Sequence, residues 1–400
     1  MKVLQINSVC GHGSTGRIAT DLYDALKQEG HDCVIAYGRG TAPEGYQTIK
    51  IDSEWDIRMH GLKTRITDRE GFGSRKATER FIKKVRAYDP DVIHLHNLHG
   101  YYINIEVLFN YLKKADKKVV WTLHDCWAFT GHCAYFDYVG CDKWKTGCEK
   151  CPQKKEYPKS FLFDHSKLNY QIKKDLFTKV KKLTIVTPSH WLANLVKESF
   201  LTEYPVEVIH NGIDLEIFKP TPSNFKERYH CDDKTVVLGV ANVWDRRKGL
   251  NTFIELSKEL PDDFQIVLVG LSKKQMKLLP DNIIKIQRTN STKELAEIYT
   301  AANVFVNPTL EDNFPTTNLE SLACGTPVIT YNTGGSPECV INLNGLIIEQ
   351  NNTDELINKI KTNKNIKNKE KLFEKVKNFE KNIKFRDYLT IYSNGVKIQK

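Results

Sequence analysis

Short apolar runs alternate with segments of helical spacing along most of the chain. In the first half, β-branched and other apolar residues predict strands at Lys2–Ser8, Cys33–Tyr37, Asp91–Leu95, Lys118–Leu123 and Leu183–Thr187. Apolar residues three and four positions apart predict helices between several of these runs, for instance at Arg17–Gln28 and His190–Phe200. This alternation is typical of βαβ units, in which helices cover a parallel sheet.

A second series of the same kind occupies the second half. Its apolar runs predict strands at Thr235–Ala241, Phe264–Val269, Ile283–Gln287, Asn303–Val306 and Pro327–Thr330. Between the two series, Asn211-Gly212 predicts a turn, and Pro220 and Pro222 stop any helix. We therefore predict an α/β protein of two doubly wound, Rossmann-like domains, at residues 1–206 and 207–385. A C-terminal helix at 386–400 follows, and packing back on the first domain is one arrangement open to it.

The end of the chain is rich in Lys and Asn, from Asn351 to Lys400. Its apolar residues nevertheless keep a helical spacing, at Leu356, Ile357, Ile360, Leu372, Phe373, Val376 and Phe379. That spacing predicts amphipathic helices rather than a disordered tail.

The composition narrows the class of protein. With 40% hydrophobic and 27% charged residues, the 400-residue chain has the makeup of a globular protein and exceeds what one hydrophobic core usually organises. No apolar run approaches the roughly 18–20 residues that cross a bilayer, and Met1–Asn7 resembles a strand rather than a secretory signal. We therefore expect a cytoplasmic protein.

The net charge widens the choice of partners. The chain has 59 Lys and Arg residues against 49 Asp and Glu, a formal charge of +10. This excess suits an anionic ligand, a phospholipid surface or a nucleic acid, and solvation of a Lys-rich surface explains it equally well. Residues 171–182 interleave lysines with apolar residues at helical spacing. They fit either peripheral contact with the inner membrane leaflet or an ordinary surface helix.

A glycine-rich loop, Gly11–Gly16, follows the first predicted strand and precedes a helix. Its G-x-G-x-x-G spacing is typical of a dinucleotide site. The second strand, however, ends at Tyr37-Gly38-Arg39 without the acidic residue that holds a ribose in dehydrogenases. What remains is either close approach of the backbone to another ligand, near Gly13, or a simple tight turn.

Two acidic residues flank the start of a predicted helix in the second half. Asp312 lies in a polar loop, and Glu320 lies in the helix that ends at Gly325. Such a segment can hold one ligand along its length, with helix amides on a phosphate and a carboxylate at each end on sugar hydroxyls. Capping and solvation are the alternative explanation.

This stretch resembles the E-x7-E region of the retaining nucleotide-sugar glycosyltransferases of family 4, of the kind that build bacterial surface polysaccharides. Further matching segments occur in the same order, at Gly11–Gly16, Asp91–His96, Thr122–Asp125, Thr187–Leu192, Val208–Asp214, Arg247–Gly249 and Gly334–Glu338. The resemblance covers residues 1 to about 350. It implies the GT-B fold, in which two Rossmann-like domains face each other across a cleft.

The resemblance also implies roles for individual residues. Glu320 matches the glutamate that binds the nucleotide ribose. Asp312 stands where the family has its first glutamate, with Glu311 just ahead, so either of these two contacts the donor sugar. Further donor contacts are expected at Gly13, Thr316, Thr317, Asn318 and Gly335.

A basic turn matches the cations that the family places against the diphosphate. Lys248 matches directly, and Arg247 or Arg246 supplies a second charge, because Val240–Asp245 stands where the family has an arginine. Breaking a glycosyl–phosphate bond builds negative charge on the leaving diphosphate, which fixed cations stabilise. We therefore expect no catalytic metal. A solvated turn is the alternative reading of these residues.

His124 and Asp125 follow a predicted strand. The family places a histidine here against the donor sugar, so His124 is a candidate catalytic residue, although a histidine at a strand end is usually structural. His94, His96 and His99 have either acceptor-side or structural roles by the same resemblance.

Five of the ten cysteines lie between Cys126 and Cys151. Four of them, Cys133, Cys141, Cys148 and Cys151, can supply the ligands of a structural zinc ion, and Cys126 is left out because it lies nearest the sheet edge. Buried free thiols and disulfides remain alternatives.

The resemblance thus implies an enzyme that transfers a hexosyl or related sugar, with retention, from a UDP- or GDP-linked donor to the hydroxyl of a saccharide or lipid-linked acceptor. A nucleotide-sugar epimerase of the same fold is a rival. A zinc-stabilised nucleic-acid-binding protein is another, but no recognition helix or aromatic-basic stacking pattern is present, so we expect no nucleic-acid partner.

Overall fold

A computed structural model describes residues 1–340, 345–362 and 369–394 and divides the chain into two compact units. The first unit comprises Met1–His210 together with the C-terminal segment from Phe385, and the second comprises Asn211–Lys384. The division after residue 210 falls four residues beyond the predicted boundary at 206. The second change of unit falls before Phe385, close to the predicted residue 385.

The first unit is built on a parallel sheet of seven strands among the described residues. In chain order they are β1 (Lys2–Val9), β2 (Asp32–Arg39), β3 (Thr48–Lys50), β4 (Val92–Leu95), β5 (Lys118–Thr122), β6 (Leu183–Thr187) and β7 (Val206–Val208). Their order in the sheet is β3-β2-β1-β4-β5-β6-β7. The chain therefore winds outward in one direction from β1 and in the other from β4, as in a Rossmann-like fold.

Helices connect these strands. They are α1 (Gly13–Gln28), α2 (Glu54–Thr67), α3 (Arg75–Tyr88), α4 (Ile105–Leu112), α5 (Ser166–Phe177) and α6 (His190–Glu198), with 3₁₀ turns at Trp127–Phe129 and Lys143–Lys145. Helix α1 begins at Gly13 rather than at the predicted Arg17, because the second half of the glycine loop forms its first turn. The central strands β1 and β4 are buried over nearly their whole length, which is typical of parallel strands covered on both faces.

The second unit repeats the architecture with six parallel strands in its described part. They are β8 (Thr235–Val240), β9 (Phe264–Val269), β10 (Ile283–Ile286), β11 (Val304–Asn307), β12 (Val328–Tyr331) and β13 (Leu346–Ile348), in the sheet order β10-β9-β8-β11-β12-β13. Its helices are α7 (Phe225–Arg228), α8 (Leu250–Glu259), α9 (Lys273–Leu278), α10 (Thr292–Ala301), α11 (Thr316–Ala323), α12 (Thr353–Thr362) and α13 (Lys369–Val376), with 3₁₀ turns at Arg246–Lys248, Pro337–Cys339 and Lys377–Phe379. The prediction of two Rossmann-like sheets is confirmed.

The last helix, α14 (Lys381–Ser393), brings the chain back to the first unit. Phe385, Tyr388 and Tyr392 are buried in the core that covers one face of the first sheet. Tyr392 also hydrogen-bonds through its hydroxyl to His94 Nδ1 at 2.6 Å. The amphipathic spacing predicted near the end of the chain corresponds to α12 and α13. Residues 363–368 and 395–400 of that predicted region lie outside the described residues.

Both sheets change winding direction between two neighbouring strands, β1 and β4 in the first unit and β8 and β11 in the second. Loops that leave the carboxyl ends of such strands diverge, and the crevice between them is the usual ligand site of an open α/β sheet. Among the helices of the described ranges, none is both long enough and apolar enough to cross a bilayer.

Candidate active site

In the second unit, two loops meet at the change of winding. One leaves β8 and forms the basic 3₁₀ turn Arg246–Lys248, and the other leaves β11 and leads into α11. The Leu310 amide donates to the Arg247 carbonyl at 2.6 Å, and the Thr309 hydroxyl donates to the same oxygen at 3.2 Å. Backbone contacts therefore fix the basic turn against the loop that precedes α11.

Lys248 and Asp312, both predicted from the sequence, form an ion pair between Nζ and Oδ2. Gly249 makes this arrangement sterically possible, because its φ is +70° and a Cβ there would lie 2.2 Å from the Pro308 carbonyl oxygen. Both charged side chains remain partly accessible to solvent. The structure thus brings the predicted cation and the predicted donor-sugar carboxylate together.

A glycine pair holds the backbone of Asp312. The Gly335 amide donates to the Asp312 carbonyl at 3.1 Å. Gly334 has a φ of +57°, and a Cβ there would lie 2.0 Å from the same oxygen. Gly335, a predicted donor contact, therefore supports Asp312 in this structure. Glu311, the other candidate for the donor sugar, is only 1% exposed, so Asp312 is the more accessible of the two.

Glu320 is a buried carboxylate on α11. The Tyr299 hydroxyl donates to its Oε2 at 3.2 Å, and the Thr316 hydroxyl donates to its Oε1 at 3.3 Å. Burial, together with the nearby charge of Glu320, raises the pKa of Tyr299 well above its usual value, so Tyr299 stays a hydrogen-bond donor. Sequence reasoning missed Tyr299, because the contact joins residues from two different helices.

Helix α11 begins at Thr316 directly after Pro315, which provides no side-chain cap. The first turn, with the predicted Thr316 and Thr317, therefore carries the partial positive charge of a helix start that has no side-chain cap. The side chain of Asn318 is hydrogen-bonded to neighbouring residues instead. Its Oδ1 accepts from Asn307 at 2.8 Å and its Nδ2 donates to the Ser336 hydroxyl at 3.1 Å, so the predicted ligand side chain ties α11 to its neighbours.

Arg247, the second predicted cation, forms an ion pair with a residue of its own turn. The Arg247 guanidinium pairs with Asp245, with Nη2 and Oδ2 3.1 Å apart. Arg246, the alternative, has an exposed side chain at the start of the same turn. The basic turn therefore places two arginines beside Lys248, and the guanidinium of Arg247 pairs with a carboxylate of the same turn.

In the first unit, histidines gather where β4 and β5 end. A cavity there is lined by residues that include His96, His99, His124, Asp125 and Trp127. Gly13, in the loop after the neighbouring strand β1, opens α1 with a φ of +65° and has open space where a Cβ would stand. His94 lies in the core instead, with its Nε2 2.8 Å from the Thr122 hydroxyl, which fits the structural reading.

A chain of hydrogen bonds orients His124. Gln5 donates through Nε2 to the Ala19 carbonyl at 2.9 Å, so its Oε1 accepts from His96 Nε2 at 3.1 Å. His96 Nδ1 is then the acceptor for His124 Nε2, 3.2 Å away. Burial lowers the pKa of His124 to about 4, with His99 adding to the effect, so the ring is neutral near pH 7. In this tautomer, His124 presents Nδ1 as a hydrogen-bond acceptor.

Asp125 anchors a second chain in the same cavity. His99 Nε2 lies 2.8 Å from Asp125 Oδ2, and His99 Nδ1 lies 2.8 Å from the Tyr157 hydroxyl. Burial acts to raise the pKa of Asp125, but His99 and the Trp127 amide outweigh it, and the net pKa lies below its usual value. Asp125 therefore stays ionised and fixes His99. Tyr157 was missed, because no local motif connects it to a histidine 58 positions earlier.

The cysteine loop packs against the same core. The thiols of Cys133 and Cys151 lie close enough for each to shift the pKa of the other, and Cys148 Sγ accepts from the Gly131 amide at 3.2 Å. Cys141 lies within electrostatic range of Cys148. Every cysteine of the chain is described and carries a free thiol, and no three of these sulfur atoms lie within 4.8 Å of one another.

The basic segment 171–182 forms the end of α5 and the turn after it. Lys173 is buried and donates from Nζ to the carbonyls of Trp127, at 2.7 Å, and Thr130, at 3.1 Å. Leu176 and Phe177 are buried in the core. These apolar residues face the protein, as in an ordinary surface helix, so they are not available to enter a bilayer.

Comparison with known families identifies the class of protein that this fold and site define. The model described as Glycosyltransferase Family 4 matches residues 15–217, and the model described as Glycosyl transferases group 1 matches residues 222–385. The chain therefore belongs to glycosyltransferase family 4, and it is a glycosyltransferase with the GT-B type of fold.

Individual relatives cover nearly the whole chain. WcaC of Escherichia coli K12, which carries the name of a colanic acid biosynthesis glycosyl transferase, is 27% identical over 374 residues, or 89% of each chain. The structure of sucrose-phosphate synthase from Thermosynechococcus elongatus superimposes with a TM-score of 0.73, at 17% identity over 98% of each chain. Anabaena Alr3699/HepE, solved in complex with UDP, gives 0.67 at 15% identity over 98% of this chain and 100% of its own.

Proposed function

We propose that this glycosyltransferase takes its sugar from a nucleotide-sugar donor of the UDP or GDP type. The observation that carries the proposal is the meeting of a basic turn, an uncapped helix start and two carboxylates at the change of winding in the second unit. Cations and amides suit a diphosphate, and carboxylates suit sugar and ribose hydroxyls. HepE, which shares the fold, binds UDP and UDP-glucose, in agreement with this donor class.

The basic turn would receive the leaving diphosphate. When the glycosyl–phosphate bond breaks, negative charge grows on the phosphate oxygens, and Lys248 is positioned to share its ammonium between them and Asp312. The amides at the start of α11 add fixed positive partial charge without moving. Protein groups alone can thus stabilise the departing group.

The two carboxylates would hold the donor at its ends. Glu320, fixed by Tyr299 and Thr316, accepts ribose hydroxyls, and Asp312 accepts from the donor sugar. In the first unit, His124 offers neutral Nδ1 to a sugar hydroxyl. We further propose that the product retains the anomeric configuration and that the acceptor is the hydroxyl of a saccharide or lipid-linked saccharide. The name of WcaC supports a product in the class of surface polysaccharides.

Glu320→Gln tests the donor site, with Glu259→Gln as a control at an exposed carboxylate of the same unit. The purified chain is titrated with UDP-glucose, UDP-galactose and GDP-mannose, and the shift in melting temperature gives the affinity. We expect at least one of these sugars to stabilise the wild type and the control. The loss of a charge-assisted hydrogen bond should weaken its binding to Glu320→Gln by about tenfold or more. Equal affinities for all three proteins would refute the assignment.

We also propose a structural zinc ion in the cysteine loop, held by Cys133, Cys141, Cys148 and Cys151. Between β5 and α5 this loop has only short 3₁₀ turns, yet much of it is buried. A tetrahedral zinc with Zn–S bonds of about 2.3 Å brings its sulfurs to roughly 3.8 Å from one another, so binding would draw these thiols closer. Such a site would supply order that the loop's own hydrogen bonds provide only in part.

A further inference from the structure

The outer face of α2 is apolar although it points away from the core of the first unit. Its apolar stripe consists of Trp55, Met59, Leu62 and Ile66, which are 40 to 69% exposed. These residues are four, three and four positions apart, so they lie on one side of the helix. The opposite side, with Ile57 and Thr64, is buried against the unit. A surface helix ordinarily turns a polar face to solvent, so the stripe needs a partner.

A neighbouring loop extends the stripe. Its residues Phe161, Leu162 and Phe163 are also more than half exposed. The Phe161 amide donates to the Arg65 carbonyl at 2.7 Å, and the Phe163 amide donates to the Ile66 carbonyl at 3.2 Å. The loop therefore runs beside the last turn of α2. We call these seven residues, Trp55, Met59, Leu62, Ile66, Phe161, Leu162 and Phe163, the outer apolar surface.

Exposed apolar side chains are concentrated here rather than scattered. Of the thirteen large apolar side chains that are well exposed within the described ranges, nine come from α2 and residues 157–168. Single exposed apolar residues are normal on a soluble protein, but a contiguous group marks an interaction site.

Cations surround the outer apolar surface. Arg58, Lys63 and Arg65 are exposed on α2 itself, and Lys155 and Lys159 are exposed in the adjoining loop, which also exposes Glu156 and Asp164. The acidic residues of α2 lie at its start and have local partners. Glu54 pairs with Lys50 at 2.8 Å, and Asp56 accepts from the Ser53 hydroxyl at 2.7 Å. An apolar strip with a basic border matches the interface of a membrane that contains anionic lipid.

We propose that the first unit docks on an anionic bilayer through the outer apolar surface. The apolar side chains enter the headgroup boundary, while Arg58, Lys63 and their neighbours meet lipid phosphates. A second copy of the chain is a poorer occupant, because a two-fold contact through this surface would place the same cations against each other. Docking is independent of the sugar donor, so its test does not depend on the proposed function.

Sedimentation with vesicles measures the docking directly. The full chain is mixed at low salt with vesicles of phosphatidylcholine alone or with roughly 30% phosphatidylglycerol, and again at about 0.5 M salt. We expect binding to the anionic vesicles, and weaker binding at high salt and to phosphatidylcholine alone. Trp55 fluorescence should shift to shorter wavelength on binding, and the shift should disappear in Trp55→Phe.

Paired variants locate the contact. Leu62→Ser with Phe161→Ser should reduce the partition coefficient by about tenfold or more, because each side chain leaves an apolar environment. The matched control is Val243→Ser with Leu278→Ser, which changes apolar residues of the second unit that are more exposed than Leu62 and Phe161. The melting temperature of each variant is recorded, and unchanged values show that folding is intact.

Three results would overturn the proposal. The first is failure to bind anionic vesicles at low salt. The second is equal loss of binding in the paired variant and its control. The third is a wild-type dimer, seen by light scattering, that becomes a monomer in the paired variant without any vesicle binding, since this would make the surface an interface between copies of the chain.

Discussion

The two candidate sites lie at equivalent positions of similar sheets, yet they are built from opposite chemistry. The site of the second unit is ionic, with a Lys248–Asp312 pair that remains partly accessible. In the site of the first unit, His96 and His124 are neutral and hydrogen-bonded, because burial holds the pKa of each below its usual value. One sheet edge is thus prepared to compensate charge, and the other to orient hydroxyl groups.

The sites also differ in what keeps them ordered. In the second unit, backbone hydrogen bonds join two short loops, and glycines allow close packing around Asp312. In the first unit, His124 and Asp125 open the long cysteine loop, which the buried Lys173 holds through two carbonyls. The comparison teaches that a shared sheet topology fixes where a site lies, while the loops decide its charge and its rigidity.

Removal of zinc should produce the largest difference in stability between the two units. We expect about one zinc per chain by elemental analysis of protein purified without chelator. Removing the zinc should lower the free energy of unfolding of the first unit by several kcal/mol and leave that of the second unit nearly unchanged. The reason is that structural zinc sites contribute folding free energy directly. Protease cleavage within 126–152 reports the change, and Cys148→Ser should reproduce it. Purified protein with well under one zinc per chain would contradict the prediction.

Lys248→Met should reduce kcat/KM for sugar transfer by about 10²- to 10³-fold, comparable to the loss of one preorganised electrostatic contact to a transition state. The measurement is steady-state transfer to an acceptor with the best donor. Lys277→Met, at a basic residue of α9 in the same unit, is the control and should remain active. Comparable activity of both variants would show that the ionic site plays no part in the reaction.

Acid should lower the free energy of unfolding of the first unit more than that of the second unit. Burial lowers the pKa of His94 to about 3 and the pKa of His124 to about 4. It also lowers the pKa of His96 well below its usual value. In each case a neighbouring histidine adds to the effect of burial. Unfolded histidines bind protons near pH 6.5, so the unfolded state gains more protons as pH falls below this value. The free energy of unfolding should therefore drop by on the order of 2 kcal/mol per histidine between pH 7 and pH 5.

Urea unfolding at the two pH values measures this drop. Trp244→Phe removes the tryptophan of the second unit, so the remaining fluorescence reports on the first unit alone. The drop should be smaller in His96→Gln, which removes one of the buried histidines. Identical urea midpoints at pH 7 and pH 5 would contradict the prediction.

Most of the fold could be predicted from the sequence, because buried parallel strands are continuous apolar runs. Ten strands were predicted near their observed positions, whereas β3, β7 and β13 were missed, since three residues at a sheet edge are too short for a pattern. The Lys248 and Asp312 site followed from local motifs. Tyr299, Tyr157 and Gln5 could not be predicted, because each reaches its site partner only through tertiary packing.

The return of α14 gives the order of synthesis a role in folding. Ribosomes complete residues 1–210 early, but Tyr388 and Tyr392, which fill a core of that unit, emerge only after the whole second unit has been made. Until then, the nascent first unit lacks the tyrosine hydroxyls that bond to Thr122 and His94. A stop codon shortly before Phe385 would therefore damage the part of the protein that was translated first.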